Sequence, residues 1–207
     1  NREEQKEKIK ELLKGQNFIC QEILEGNTKL TKYNKNPRTV NTLRCVTLCM
    51  NGKASLFGMY LRMTAGDTIN DNVSFSTKTN KDVATANCYV GILPGGILSE
   101  FGLCRADRAK KFYESPSGIK FAGEKLEDYE RIKAFVTDTH LRRFPMLGFI
   151  AWDITIDKND TIRVVEINLD SQDIDDHHLF NPSVFEEKFE EYCECVNKKL
   201  TFNITYK

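Results

Sequence analysis

Three oxygen-bearing side chains, Asp153, Glu166 and Asn168, interrupt a stretch that otherwise reads as two apolar strands around a polar turn, "GFIAWDITIDKNDTIRVVEIN" over residues 148–168. Side chains alternate between the faces of a strand, and opposed residues of an antiparallel pair share a face. A turn centred on Lys158-Asn159 sets Ile156 opposite Thr161, Asp153 opposite Val164, Ala151 opposite Glu166 and Phe149 opposite Asn168. In that register the three polar side chains project from one face, while Ile150, Trp152, Ile154, Val165 and Ile167 form a buried apolar one. Two neighbouring carboxylates repel unless a cation lies between them. Carboxylate and amide oxygens are ligands for a hard cation, and Mg²⁺ commonly takes one or two carboxylates together with substrate phosphates. Alternation on a hairpin with one wet face produces the same pattern without a metal, so a solvated polar face is the alternative.

The elements that must position these groups are mixed. Residues 2–14 read as a strongly charged helix with a narrow stripe of Ile9, Leu12 and Leu13, and "FICQEIL" at 18–24 reads as a short strand. Residues 25–40 are polar and turn-rich. "NTLRCVTLCM" and "KASLFGMYLRM" flank Asn51-Gly52, a strong hairpin signal. Residues 64–118 show little periodicity and read as a long irregular region. An amphipathic helix is expected over 126–144, with Tyr129, Ile132, Phe135, Val136 and Leu141 near one face, and another over 182–200, marked by Phe185, Phe189, Tyr192, Val196 and Leu200.

Two arginines, Arg44 and Arg62, fall on the strands of the first hairpin. A guanidinium stays charged and its fork of donors matches phosphate and carboxylate; a surface ion pair is the plainer role. A two-residue Asn51-Gly52 turn sets Arg44 opposite Met59 and so places Arg62 on the other face. A three-residue loop or one bulge returns both to the same face.

Composition narrows the class. The 207 residues carry 30 Lys+Arg and 30 Asp+Glu, a formal net charge of zero, which argues against a nucleic-acid module held by bulk charge. No apolar run approaches the roughly 18 residues of a membrane helix and no signal peptide is recognisable. The seven cysteines are odd in number and sit mostly in apolar runs; neither a disulfide framework nor zinc-site spacing is evident. A cytoplasmic globular protein is expected.

An Asp on one strand followed, after a dozen intervening residues, by Glu-x-Asn at the end of the next resembles the magnesium signature of ATP-grasp enzymes. Upstream, "FICQEIL" resembles the adenine-hinge strand of that superfamily. "NPRTVNTLRCVTL" followed by "GMYLRM" and "NDNVS" resembles its sugar-transfer-associated, glutamate-ligase-related branch. The similarity runs from about residue 18 to residue 180. It implies an α+β fold with a mixed, mainly antiparallel sheet flanked by helices. Residues 1–30 would be the end of the lid subdomain and the adenine hinge, and 31–207 the C-terminal subdomain with the phosphate and metal site.

Carried over residue by residue, the resemblance implies that Gln21, Glu22 and Ile23 contact adenine. Arg44 and Arg62 would hold the γ-phosphate and an acyl-phosphate, and Asp153, Glu166 and Asn168 would hold one or two Mg²⁺, with Glu166 bridging. The implied activity is an ATP-dependent carboxylate–amine ligase acting on a small-molecule or sugar-linked substrate, in the making of a cell-surface polysaccharide or its precursor. The chain departs from the family pattern at its start: no glycine-rich phosphate loop precedes residue 18, and Lys6, Lys8, Lys10 and Lys14 lie on the charged helix. A missing N-terminal ATP-grasp portion, a poorly packed first helix and weak nucleotide binding without turnover are the corresponding expectations. Two other classes stay open. One is a non-catalytic nucleotide-binding or interaction domain. The other is a metal-dependent hydrolase, for which Asp170 and Asp173 are the only further carboxylates nearby. His177-His178, in "DIDDHHLF", reads either as a substrate contact or as a polar loop.

Overall fold

The computed structural model describes residues 2–15, 17, 22–65, 88–104, 107–170, 172–181 and 189–195. Its centre is one antiparallel sheet of seven strands, which makes the protein α+β. In chain order the strands are β1 Leu43–Met50, β2 Lys53–Met63, β3 Cys88–Ile92, β4 Leu98–Cys104, β5 Lys111–Phe112, β6 Phe149–Ile156 and β7 Ile162–Asn168, and the sheet order is β5-β4-β3-β2-β1-β6-β7. Helices α1 (Arg2–Leu12), α2 (Thr28–Thr31), α3 (Tyr129–Arg143) and α4 (Ile174–His178) accompany it, and residues 189–195 are helical.

β1 lies at the middle of the sheet and all eight of its residues are buried. One face packs under α3, which runs across β1 and β2. Tyr129, Ile132 and Val136 of α3 join Cys45, Met59, Leu61, Ile150, Trp152 and Ile154 in the main core. The helix buries the positions 129, 132, 136 and 140, so its fourth inward residue is His140 rather than the expected Leu141, which is exposed. A histidine is tolerated there because every polar atom around it is matched. Its Nε2–H donates to the Leu147 carbonyl at 3.0 Å, which leaves Nδ1 to accept from the Thr47 hydroxyl at 2.7 Å. The Thr47 oxygen in turn accepts the Trp152 indole N–H at 2.8 Å. Burial lowers the pKa of this imidazole, in keeping with a neutral ring inside the core.

Several expectations are corrected. Residues 64–118 are not one irregular region, since β3, β4 and β5 fall within it. "CYVGI" is buried at all five positions and so shows no alternation to detect. Residues 22–25 carry no strand, and 18–21 lie outside the described residues. The polar stretch at 25–40 holds α2, with Asn27 as N-cap accepting from the Lys29 amide. β7 is an edge strand, so Val165 and Ile167 are exposed rather than part of the apolar face. α1 buries none of its residues, and of the second expected helix only 189–195 is described. The six described cysteines are free thiols, and among the described residues no helix is long and apolar enough to cross a membrane.

Thr47→Val keeps the shape of the core but strands the Trp152 N–H and the His140 Nδ1. Each unmatched buried group costs about 1–3 kcal/mol, so urea denaturation should show a loss of about 2–4 kcal/mol. A loss below the error of the measurement would mean that the three side chains do not act as one network.

Candidate functional site

The other face of the sheet carries a row of polar side chains, and two bulges decide that it does. In the first hairpin Asn51 and Gly52 both have positive φ, the signature of a two-residue primed turn, and Met50 pairs with Lys53 as that turn requires. Farther from the turn, Val46 pairs with Gly58 but Thr47 with Leu56, which makes Phe57 an extra residue. The one-residue shift sets Arg44 opposite Tyr60 instead of Met59. Arg62, two residues beyond Tyr60, therefore shares the face of Arg44.

The second hairpin shifts twice. Its turn is longer than two residues because the Asp157 side chain captures it: Oδ1 accepts from the amides of Asn159 at 2.9 Å and Thr161 at 3.0 Å, and Asp160 takes φ 60°. Ile156 then pairs with Ile162 rather than Thr161. A bulge at Val165 adds the second shift, so that Asp153 faces Glu166 directly and Ala151 faces Asn168. Two odd shifts make an even one. Asp153, Glu166 and Asn168 share a face as expected, with cross-strand partners different from those of the simple register.

Across the sheet, one row runs Tyr60, Arg44, Asp153, Glu166 through four strands. Asp153 is buried between two guanidiniums: Arg44 Nε lies 2.9 Å from Oδ1 and Arg62 Nη1 donates to Oδ2 at 3.1 Å. Burial pushes the Asp153 carboxyl up from the ordinary carboxylate range, the two guanidiniums pull it back, and the neighbouring Glu166 charge pushes it up again. Asp173, just before α4, lies over the same arginines, with Oδ2 at 3.4 Å from Arg44 Nη2 and 4.0 Å from Arg62 Nη2, and accepts from the Tyr60 hydroxyl at 3.2 Å. Behind Arg62 the amides of Asn34 and Asn41 exchange hydrogen bonds at 2.6 and 3.0 Å, and Asn41 Nδ2 donates to the Arg62 carbonyl at 2.7 Å. This buried pair fixes the strand end that carries the guanidinium.

α4 is tied over the sheet by its acids. The Tyr89 hydroxyl donates to Asp176 at 2.8 Å, and Arg108 reaches Asp175 at 2.6 Å and Asp176 at 2.8 Å. Glycines at 58 and 91 leave room for two rings from this segment: a Cβ on Gly58 would overlap the His177 ring, and one on Gly91 the Phe180 ring. His177 is thus a buried residue of the sheet face and not part of a polar loop. Burial, aided by the positive charge of Arg44, pushes its pKa down to about 3.

The structure brings Arg44, Arg62, Asp153, Glu166 and Asn168 to one face. Of the three hinge residues, Glu22 and Ile23 are exposed and Gln21 lies outside the described residues. Sequence reasoning missed Tyr60, Tyr89, Asp176 and the Asn34–Asn41 pair; the two tyrosines signal themselves only as hydroxyl-bearing residues in apolar strands, and Asp176, Asn34 and Asn41 lie off the strands in polar stretches that give no period to read. Asp153 and Glu166 face each other with Asn168 on the same face; both Asp153 oxygens already lie against guanidiniums, and the buried Asn168 Nδ2, without a hydrogen-bond partner among the described residues, is a hydrogen-bond donor and not a cation ligand. Among the described residues no group of three or more His, Cys, Asp or Glu is placed to hold a metal. A cation here would therefore rest on two carboxylates, an amide and oxygens brought by its own ligand, as is usual for Mg²⁺. No family model, curated protein or solved structure matches the chain.

Removing Asp153 leaves two buried guanidiniums short of a carboxylate, whereas Glu166 is exposed on the edge strand. Asp153→Ala should cost about 3 kcal/mol or more, and Glu166→Gln should stay within about 0.5 kcal/mol, both read by chemical denaturation. Equal effects would contradict the placement of Asp153 at the centre of the cluster.

His177 gives a pH dependence of fixed sign. Its folded pKa lies below the ordinary value of about 6.5, so the unfolded chain binds the proton more readily. Stability then falls as pH drops below about 6.5, by about 1 kcal/mol per pH unit. Between pH 6.5 and 5 the wild type should lose about 1–2 kcal/mol more than His177→Gln. Parallel pH profiles for the two proteins would show that the ring is not held neutral.

Proposed function

We propose that the Arg44–Arg62–Asp153–Glu166 face binds the triphosphate of MgATP. On this reading the protein belongs to an ATP-dependent carboxylate–amine ligase of the ATP-grasp type. One observation carries the proposal: the bulge at Phe57 brings both arginines to the face on which Asp153 and Glu166 oppose each other. Phosphate and carboxylate groups suit a pair of guanidiniums, and the acids supply the cation site that a triphosphate needs. The motifs "NTLR", "YLRM" and "VVEIN" supply the family reading.

In the ligase reaction a substrate carboxylate takes the γ-phosphoryl group of ATP and releases ADP. The amine of a second substrate then displaces phosphate to form an amide. Arg44 and Arg62 would hold the transferring group and neutralise its charge, the work that dominates phosphoryl transfer. Mg²⁺ held by Asp153, Glu166 and Asn168 would supply further charge neutralisation. Asp153 would remain the support that orients both guanidiniums. The sugar-associated branch gives the substrate class as an amino-acid-like or sugar-linked acid and amine, and free thiols in a cytoplasmic setting agree with it. The exposed α1, with no buried residue, agrees with an element that packs against an ATP-grasp lid.

The Asp173 contacts favour a second reading, in which the cluster is purely structural and its own carboxylate takes the place of an anionic ligand. Calorimetric titration of the 207-residue chain with MgATP separates the two. Saturable binding that disappears with EDTA and is weakened at least about tenfold by Glu166→Gln, a change of roughly 1.4 kcal/mol, supports the nucleotide site. No heat, or binding indifferent to both, supports the structural cluster.

A further inference from the structure

Cys88 opens β3, Cys104 closes β4, and the two are direct cross-strand partners. Opposed residues share a face of the sheet. In an antiparallel ladder they alternate between pairs that exchange backbone hydrogen bonds and pairs that do not, and the hydrogen bonds of the neighbouring strands decide which kind this is. The Cys104 N–H donates to the Lys110 carbonyl at 3.2 Å, on the β5 side, and so points away from β3. On the other flank the Arg62 N–H donates to the Thr42 carbonyl at 3.0 Å, toward β1, which turns the next residue, Met63, toward β3 and its partner Cys88. Cys88 thus spends its backbone groups on β2 and Cys104 spends its own on β5. Between them lies a non-hydrogen-bonded pair, the kind whose Cα atoms approach to about 4.5 Å and whose side chains are closest. A disulfide spans Cα separations of about 4.4–6.8 Å. Both residues are free thiols in this structure.

The other described cysteines have no such partner. Cys45 is opposed by Met59 and Trp152, and Cys49 by Ala54. Cys193 and Cys195 lie two apart on a helix, a spacing at which side chains do not face each other. Cys88 and Cys104 are buried, and burial, helped by the neighbouring Cys104, pushes the Cys88 thiol up to about 12. Such a thiol is inert while the sheet is closed. The pair nevertheless sits at the end of the β3–β4 ladder, and the strand outside it, β5, has only two residues. Strand ends open locally without unfolding the sheet, and one such opening frees both sulfurs together.

We propose that Cys88 and Cys104 are a reversible disulfide-forming pair, oxidised by a small-molecule disulfide of the glutathione type. One cysteine thiolate attacks a sulfur of that oxidant, forms a mixed disulfide and releases one small thiol. The second cysteine thiolate then attacks the sulfur of the first, forms the Cys88–Cys104 bond and releases the other. The protein gives up two electrons and two protons, and the oxidant becomes two thiols. A Cα separation at the lower end of the disulfide range places the bond among the readily reduced ones. Arg108, four residues beyond Cys104, holds Asp175 and Asp176 of α4, so the bridge would brace the root of that strap. None of this depends on the nucleotide reading.

The test is equilibration of the folded 207-residue chain in glutathione buffers, followed by acid quenching, alkylation with iodoacetamide, tryptic digestion and mass spectrometry. Trypsin cuts after Lys81 and Arg105, so one peptide, 82–105, carries both cysteines and no other. Its reduced form takes a label on each thiol, a mixed disulfide adds glutathione, and the internal disulfide takes no label and is lighter by two hydrogens. Half-conversion to the internal disulfide should fall between the poise of the cytosol and that of the endoplasmic reticulum. Its rate should rise roughly eightfold from pH 7 to pH 8, as the thiolate fraction of an opened cysteine does. Cys104→Ala should leave Cys88 labelled in the buffer that half-oxidises the wild type. The wild-type peptide decides the matter even where the variant fails to fold. The proposal is overturned by a peptide still doubly labelled at the most oxidising poise after about a day, well past the seconds to hours of disulfide exchange. Mixed disulfides alone, a bridge that forms only in denaturing urea, or one that persists at the cytosolic poise would overturn it equally.

Discussion

Asp153 lies on a central strand with a guanidinium on each carboxylate oxygen, and the rest of this sheet face is arranged around that contact. A lone buried carboxylate or guanidinium in such a place would be strongly unfavourable, because desolvation of an ion costs several kcal/mol that only a close partner offsets. Three ions must therefore meet, and they come from β1, β2 and β6. Each strand is then held in one register, since a slip of one residue would send a charge into the apolar core beneath α3. The bulge at Phe57 arises from the same need. The tight Asn51-Gly52 turn and the ion cluster demand registers that differ by one, and an extra residue between them reconciles the two.

The same constraint separates the features legible in the sequence from those that were not. The parity of Asp153, Glu166 and Asn168 was legible because alternation survives any even shift. Their partners were not, because the Asp157 side chain lengthens the turn and Val165 bulges, and neither leaves a mark in hydropathy. The conflict between Arg44 and Arg62 was visible as a clash between turn chemistry and charge placement, and the structure resolves it at the bulge. β3 escaped notice because a strand buried on both sides has no period to see. His140 escaped because its inward position depends on Thr47 and Trp152, residues that lie about a hundred positions and twelve positions away in the chain.

The two faces of β1 use polarity in different ways. Beneath α3 the Trp152–Thr47–His140 chain is neutral and closed, with each donor meeting one acceptor. Such a network specifies how the helix sits on the sheet without asking for a ligand. On the opposite face the charges balance only in part. Asp153 and Asp173 answer Arg44 and Arg62, while Glu166 stands exposed at the edge and Asn168 has an amide nitrogen without a partner among the described residues. The face thus meets its own needs at the centre and less fully at the rim, where an exposed carboxylate and an unmatched amide donor stand on the edge strand.

Tyr60 is the divider on that face. Its ring lies 4.9 Å from His177 on one side and 5.8 Å from the Arg62 guanidinium on the other, and its hydroxyl holds Asp173. Burial raises its pKa to about 12, so it stays a neutral donor and adds no charge to either side. The arginines beyond it disfavour a proton on His177, reinforcing what burial already does. Charge is thereby confined to the cluster, and the imidazole beside it is kept neutral by burial and by the same field. Two environments of opposite character can then adjoin on a single sheet face, one built of buried ions and the other of neutral rings packed over the strand glycines.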